Sequence, residues 1–242
     1  MNNKSQLNHY GYCVLAGNNE SFYSEYTKYV EMFRLFIQKG LSDFKQQSIH
    51  LKSLGQYHQV LKENNIDTHA FISSLEKKRK LPDEFLNNRF VQLLLDRTNK
   101  ELDGDFKINN NDVWFRVCRP SADDSNDLHR DTWFSNYKGL LNYYIPVSGS
   151  FVDSAMKIVP FSHKWTNDEV KPSIPEGDGK YLKNGIAYSA CTIGYCKYDI
   201  KPHRPDVPKG SVMIFDPNMI HGGGDNYSPE TRFSFEIRIE KK

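Results

Sequence analysis

His129 and Asp131 stand two residues apart in the stretch His129-Arg130-Asp131-Thr132-Trp133, and an imidazole beside a carboxylate is a pair of metal ligands. In an extended strand successive side chains point to opposite faces, so the two share one side while Arg130 points away. They would supply two corners of the 2-His-1-carboxylate face that holds iron(II) and leaves positions open. Such pairs arise by chance in many chains. The reading therefore depends on a third ligand.

His50, His58 and His69 fall among helical segments, and isolated histidines there read as surface or hydrogen-bonded residues. His203, followed by Arg204-Pro205, has no partner at metal spacing, and His163 reads as a loop-stabilising or substrate-side residue. His221 is different. It lies in GSVMIFDPNMIHGGGDNYSPETRFSF, which runs strand, turn, histidine, glycine-rich loop, turn and strand, and stands eleven residues before Arg232. In a jelly roll, strands far apart in sequence become neighbours. His221 can thus reach the His129/Asp131 pair across the ninety residues that separate it from Asp131.

The last strand says what surrounds such a site. Arg232, Ser234, Glu236 and Arg238 share one face, and Phe233, Phe235, Ile237 and Ile239 share the other. Periodicity alone leaves two readings. Either the apolar face points into the interior of a sandwich, or it packs outward on helices and turns the polar face into a cavity. The position of His221 favours the second.

The elements that must hold these residues divide the chain. HYGYCVL, residues 9–15, reads as a strand. Phe22, Tyr26, Tyr29, Val30, Phe33, Phe36 and Ile37 recur at three- and four-residue intervals within 20–45, an amphipathic helix with Asn19 or Ser21 as cap. Residues 56–63 and 68–78 predict two shorter helices. Pro82-Asp83-Glu84 predicts a helix start that continues to Leu102. The run Lys77-Lys78-Arg79-Lys80 reads as a solvated helix end. Asp103-Gly104-Asp105 and Asn109-Asn110-Asn111 break the pattern, and strand-like runs follow: VWFRVCR, LHRDTWF, GLLNYYIPV, AMKIVP, GIAYSACTIGY, GSVMIF and TRFSFEIRIE. Such a series suggests a sandwich or jelly roll, mainly β with α-helices packed outside (α+β) and a helical N-terminal half. Residues 1–242 read as one domain, with 1–110 a mostly helical scaffold and 111–242 the core carrying the metal site. The length of the Trp165–Lys209 segment between core strands suggests a lid or substrate wall.

Bulk properties set limits. The 242 residues carry 32 basic and 30 acidic side chains, mixed along the chain for a net charge of +2, which gives no support to nucleic-acid binding. No window is long and apolar enough for a membrane span, and the N-terminus lacks a signal-peptide pattern, so the expected location is cytoplasmic. Cys13, Cys118, Cys191 and Cys196 form no CxxC pair and read as buried residues or free thiols. No heptad or repeat indicates an oligomeric state.

With HxD, a histidine about ninety residues later and an arginine some ten residues beyond it in Arg232-Phe233-Ser234, the chain resembles the Fe(II)/2-oxoglutarate-dependent dioxygenases, and within them the phytanoyl-CoA dioxygenase-like family. Ile158-Val159-Pro160-Phe161-Ser162-His163-Lys164 resembles that family's VPGSH loop, with Phe161 where glycine is usual. Tyr10-Gly11-Tyr12-Cys13-Val14-Leu15 resembles its N-terminal strand. HRDTW followed by NYYIPV is also similar to bacterial proteins that accompany carbohydrate or antibiotic pathways.

The resemblance implies a double-stranded β-helix (jelly roll, cupin-like) core and iron(II) held by His129, Asp131 and His221, with 2-oxoglutarate chelating it and O2 as oxidant. Hydroxylation of a small molecule, carbohydrate-like or a natural-product intermediate, would be coupled to release of succinate and CO2. Arg232 would hold the far carboxylate, a planar permanently charged fork suited to it, and Ser234 would add a hydroxyl bond. Asn142, Tyr144 and Thr132 are further candidates for cosubstrate or substrate contact, with packing roles equally open. Asp131 argues against halogenation, whose enzymes lack the carboxylate ligand. Two alternatives remain: a non-redox metal-dependent isomerase or epimerase on a cupin scaffold, which would not need Arg232, and a non-catalytic binding protein of the same fold.

Overall fold

A computed structural model describes residues 1–17, 20–75, 81–133, 137, 139–174, 181–183, 186–188 and 191–242, without the side chains of 110–112, 181–183 and 186–188. The chain begins with helix α1 (Asn3–Tyr10), capped by the Asn2 side chain and closed by Gly11 in the left-handed conformation at φ 86°. Strand β1 (Tyr12–Leu15) follows, so the expected strand over 9–15 is corrected: His9 and Tyr10 are helical, and only the residues past Gly11 extend. Helix α2 (Glu20–Lys45) matches its predicted span. Its expected cap Asn19 lies outside the described residues. After α3 (Tyr57–Glu63) and α4 (Thr68–Ser74) comes the basic run at 77–80, also outside them.

The helix expected from Pro82 to Leu102 is two: α5 (Asp83–Leu86), led by Pro82 with acids in its first turn, and α6 (Arg89–Leu102). Asn88 divides them because its side chain accepts from the Phe90 N–H and so starts a new helix. Strands β2 (Phe106–Cys118), β3 (Leu140–Ser148), β4 (Lys157–Ile158), β5 (Val170–Pro172), β6 (Tyr181–Lys183), β7 (Ile186–Tyr188), β8 (Ile193–Cys196), β9 (Val212–Phe215), β10 (His221–Gly222) and β11 (Arg232–Lys241) complete the chain.

Five strands form one antiparallel sheet in the order β1-β9-β3-β11-β2. Each alternates between two environments. Cys13 and Leu15, Val212 and Ile214, Tyr143 and Ile145, Phe233 and Phe235, and Val113 and Phe115 all join one buried core with helices α2 and α6. Phe33 of α2 sits at its centre, with its ring centroid 4.8 Å from that of Phe235, 5.2 Å from Phe115 and 5.6 Å from Phe233. Burying each such ring contributes about 1.5–3 kcal/mol. The apolar face of β11 therefore packs on the helices, and the polar face is turned away from them, as the second reading of the strand requires.

The opposite wall is made of short pairings. β10 pairs with β4, and single bridges add His129 beside His221 and His203 beside Ile158. The two walls enclose a polar interior, a jelly roll with helices on its outer face. Two hairpin-like pairs, β5 with β8 and β6 with β7, stand in the 165–209 segment, part of which lies outside the described residues.

Candidate metal centre

The HRDTW stretch is not the extended strand its alternation suggested. His129 makes one isolated bridge, and Asp131–Trp133 forms a 3-10 turn. The ligand-type side chains still converge, for two backbone reasons. His129 and His221 exchange both backbone hydrogen bonds, N to O at 2.8 and 2.9 Å. Directly opposed antiparallel residues project from the same face, which places their ring centroids 4.5 Å apart. The Pro217 carbonyl then accepts from the Asp131 and Thr132 N–H groups and turns the Asp131 carboxylate back toward that face. Glycines after His221 let the 125–127 loop come close: a Cβ on Gly223 would stand 2.9 Å from the Asn126 nitrogen.

Asp131 Oδ1 lies 3.5 Å from Nε2 of both histidines, and one ligand atom from each of the three residues falls within 4.8 Å of the others. Nitrogen and oxygen ligands about 2.1 Å from one ion stand about 3–3.5 Å apart, so the spacing fits a single transition-metal ion. Each histidine turns Nδ1 to a backbone carbonyl, Asp127 O at 2.7 Å and Met219 O at 2.9 Å. A carbonyl only accepts, so Nδ1 carries the hydrogen and the Nε2 lone pair faces the centre. Burial lowers the His221 pKa to about 4, against the pull of Asp131. Burial opposes ionisation of Asp131, but His221, Arg238 and His129 together hold its carboxyl well below the usual carboxylate range. A neutral imidazole beside an ionised carboxylate is the protonation state that a divalent ion needs.

A narrow cavity opens on the triad and runs between the walls to Arg232 and Ser234. Arg232 is buried; its guanidinium donates to the Ser154 carbonyl and, at 2.7 Å, to Cys118 Sγ, while Nε has no hydrogen-bond partner among the described residues. Tyr144 lines the same cavity with its hydroxyl 2.9 Å from Ser150 Oγ. Asn142 instead donates to Asp131 Oδ2 at 2.7 Å. Thr132 donates to Asn218 Oδ1 at 2.6 Å and is not among the residues lining the cavity. Arg130 points away from the centre, where its guanidinium donates to the Ser162 and Trp165 carbonyls and ties down the following loop. His203 serves as a strand neighbour of Ile158, and His163 packs in its loop with Nε2 3.2 Å from the Asn8 carbonyl.

Sequence reasoning passed over Arg238, whose guanidinium donates to Asp131 Oδ2 at 3.1 Å. It also passed over Cys118 against Arg232, and over Arg116, which binds Glu236 at 2.8 Å on the cavity wall. Alternation along β2 could have placed Arg116 and Cys118 opposite Val117. Nothing in the spacing of Arg238 could have shown its reach to Asp131, because the contact crosses between elements.

A chain with this two-walled architecture and a buried His-Asp-His cluster belongs to the jelly-roll class of metal-site proteins. More narrowly, the family model for phytanoyl-CoA dioxygenase (PhyH) matches residues 55–234, and the chain belongs to that family. No curated protein matches its sequence. Among solved structures it is similar to the epimerase SnoN in complex with Fe3+, alpha ketoglutarate and nogalamycin RO, at 13% identity and TM-score 0.55, over 99% of this chain and 82% of that one. It is also similar to EctD from S. alaskensis with 2-oxoglutarate and 5-hydroxyectoine, at 12% identity and TM-score 0.52, over 98% and 74%. A third is EvdO2 from Micromonospora carbonacea var. aurantiaca complexed with 2-oxoglutarate, at 11% identity and TM-score 0.51, over 99% and 90%. At these identities the likeness is one of fold, and it is to jelly-roll enzymes.

Proposed function

We propose that this chain is an iron(II)- and 2-oxoglutarate-dependent dioxygenase that hydroxylates a small-molecule substrate. The observation that carries the reading is the cross-strand pair His129/His221 closed by Asp131, with Arg232 and Ser234 in the same cavity. His129 and His221 would hold the metal through Nε2 and Asp131 through Oδ1. The bound iron and cosubstrate supply oxidative decarboxylation to succinate and CO2, coupled to oxidation of the substrate.

The residues of the chain do the rest. Asp127 and Met219 carbonyls orient the imidazoles, and the Arg232 fork takes the far carboxylate of 2-oxoglutarate in place of its bond to Cys118. Ser234, two residues along the same strand face, adds a hydroxyl donor. Tyr144 and Met156 line the cavity beside them. An epimerase that binds Fe3+ and alpha ketoglutarate is among the similar folds, so the fold does not dictate the outcome on the substrate; the Arg232 anchor favours a 2-oxoglutarate-dependent reaction over a non-redox one, and the Asp131 ligand favours hydroxylation over halogenation.

The test is anaerobic loading with iron(II), addition of 2-oxoglutarate and oxygen, and measurement of succinate. Slow turnover without substrate is expected, and it is lost in Asp131→Ala and His129→Ala. Conversion of a substrate that persists unchanged in Arg232→Ala without succinate release would sink the dioxygenase reading in favour of a non-redox isomerase.

A further inference from the structure

The two oxygens of Asp131 have separate duties. Oδ1 faces both imidazoles at 3.5 Å. Oδ2 is held from two strands, by Asn142 Nδ2 of β3 at 2.7 Å and by Arg238 Nη2 of β11 at 3.1 Å. Arg238 and Asn142 stand opposite each other in the sheet, so a single register places both donors on one oxygen.

Arg238 is only 4% exposed and is not among the residues lining the cavity. Its guanidinium lies over the Tyr137 ring at 4.9 Å, and Nη1 is 3.6 Å from Glu236 Oε2, which in turn binds Arg116 at 2.8 Å. Glu236 therefore shares its charge between two arginines, and Asp131 is the other anion within reach of Arg238. A buried cation is costly unless paired, and the Nη2 bond to Asp131 is the hydrogen bond this guanidinium makes among the described residues.

A carboxylate can bind a metal through one oxygen or two, and the second mode takes up a further coordination position. We propose that Arg238, together with Asn142, is a positioning residue that keeps Asp131 a one-oxygen ligand and so reserves the adjacent positions of the metal for the two chelating oxygens of the cosubstrate. The inference rests on the metal and cosubstrate reading above. It assigns to Arg238 a task distinct from that of Arg232, whose guanidinium lies at the other end of the cavity against Ser154 and Cys118.

Calorimetric titration of 2-oxoglutarate into the Mn(II)-saturated protein tests this without turnover. Arg238→Met keeps the bulk and removes the donors. Removing a partner of a metal ligand lowers metal affinity or activity about 10- to 100-fold, and the Kd for 2-oxoglutarate is expected to rise about tenfold or more at Mn(II) concentrations that still saturate the variant. Arg238→Lys, which keeps the charge and one donor, recovers part of the loss. Asn142→Leu shifts affinity in the same direction and carries the test should Arg238→Met fail to fold. Wild-type cosubstrate affinity in folded Arg238→Met overturns the proposal. So does an equal loss in the metal-free protein, since a defect in packing around Arg232 would act without the metal. Failure of the wild-type chain to bind Mn(II) and 2-oxoglutarate would instead overturn the dioxygenase reading itself.

Discussion

At the residue scale, ionic state and hydrogen-bond geometry decide what the cavity can hold. On the proposed reading Arg232 would offer the cosubstrate a buried charge-assisted fork, and such a bond is worth about 1.5–3 kcal/mol. Arg232→Leu should therefore weaken 2-oxoglutarate binding roughly 10- to 150-fold at unchanged Mn(II) affinity, as read by the same titration. Acid should weaken the metal-free fold in a definite window. Burial lowers the folded-state pKa of His221 from 6.5 to about 4, so between these values the unfolded chain takes up a proton that the folded one refuses. Stability is then unaffected above about pH 6.5 and falls as the pH drops toward 4. The depressed carboxyl of Asp131 adds stability above 3.8 that is lost as the pH falls further. Thermal melts of metal-free protein should show this decline, and His221→Gln should flatten its upper part. An undiminished slope in that variant would assign the titration to other groups. The three ligand-type side chains were legible in the sequence because their chemistry is intrinsic to the residue type. Asn142 stood out only as a candidate cosubstrate or substrate contact, and the bonds that it and Arg238 make to Asp131 were not legible, since a donor shows its acceptor only once two strands are in register.

At the scale of the element, the loop Ile158–Lys164 is the clearest departure from its family's pattern. Phe161 occupies φ 68°, a left-handed conformation in which the family's usual glycine is unstrained. Its ring packs edge-on against His9 at 5.3 Å and beside Tyr10 at 5.2 Å, and its N–H donates to the Tyr10 carbonyl. The substitution thus exchanges backbone ease for a contact with α1. Phe161→Ala loses the ring and keeps the strain, whereas Phe161→Gly loses the ring and relieves it. The glycine variant should be the more stable of the two by about 1 kcal/mol, measured by urea denaturation; equal stability would show that the turn stores no strain. The helix α1 that Phe161 packs on escaped the sequence reading. Its eight residues bury no side chain fully, so no apolar stripe marks it.

For the whole molecule, one sheet links the helical half to the cavity. Phe33 touches Phe115, Phe233 and Phe235 on the outer face of strands whose inner faces carry Cys118, Arg232 and Ser234. Phe33→Ala should cost about 3–5 kcal/mol, a large part of the roughly 5–15 kcal/mol that holds a folded domain together. The expected result is a lowered denaturation midpoint with Mn(II) affinity falling in parallel, and Phe33→Leu should lose less of both. A destabilised variant with undisturbed metal affinity would separate the helical layer from the site. Among the described residues no helix is long and apolar enough to cross a membrane.

The sequence by itself determined which side chains are fit for the proposed chemistry and how the last strand is sided: His129, Asp131 and His221 are ligand types, Arg232 is an anion-binding type, and the two faces of β11 follow from their strict alternation. Both are local properties, carried by a residue's functional group and by the two-residue period of a strand. The tertiary structure decided how the ligands meet and what holds them. His129 and Asp131 share a side through a cross-strand bridge and a 3-10 turn, not through strand alternation, because a backbone hydrogen bond from Asp131 to Pro217 lies 86 positions away from its donor. The second oxygen of Asp131 is fixed by Asn142 and Arg238 for the same reason. Contacts between elements depend on the register in which strands pair, and no single stretch of sequence contains that information.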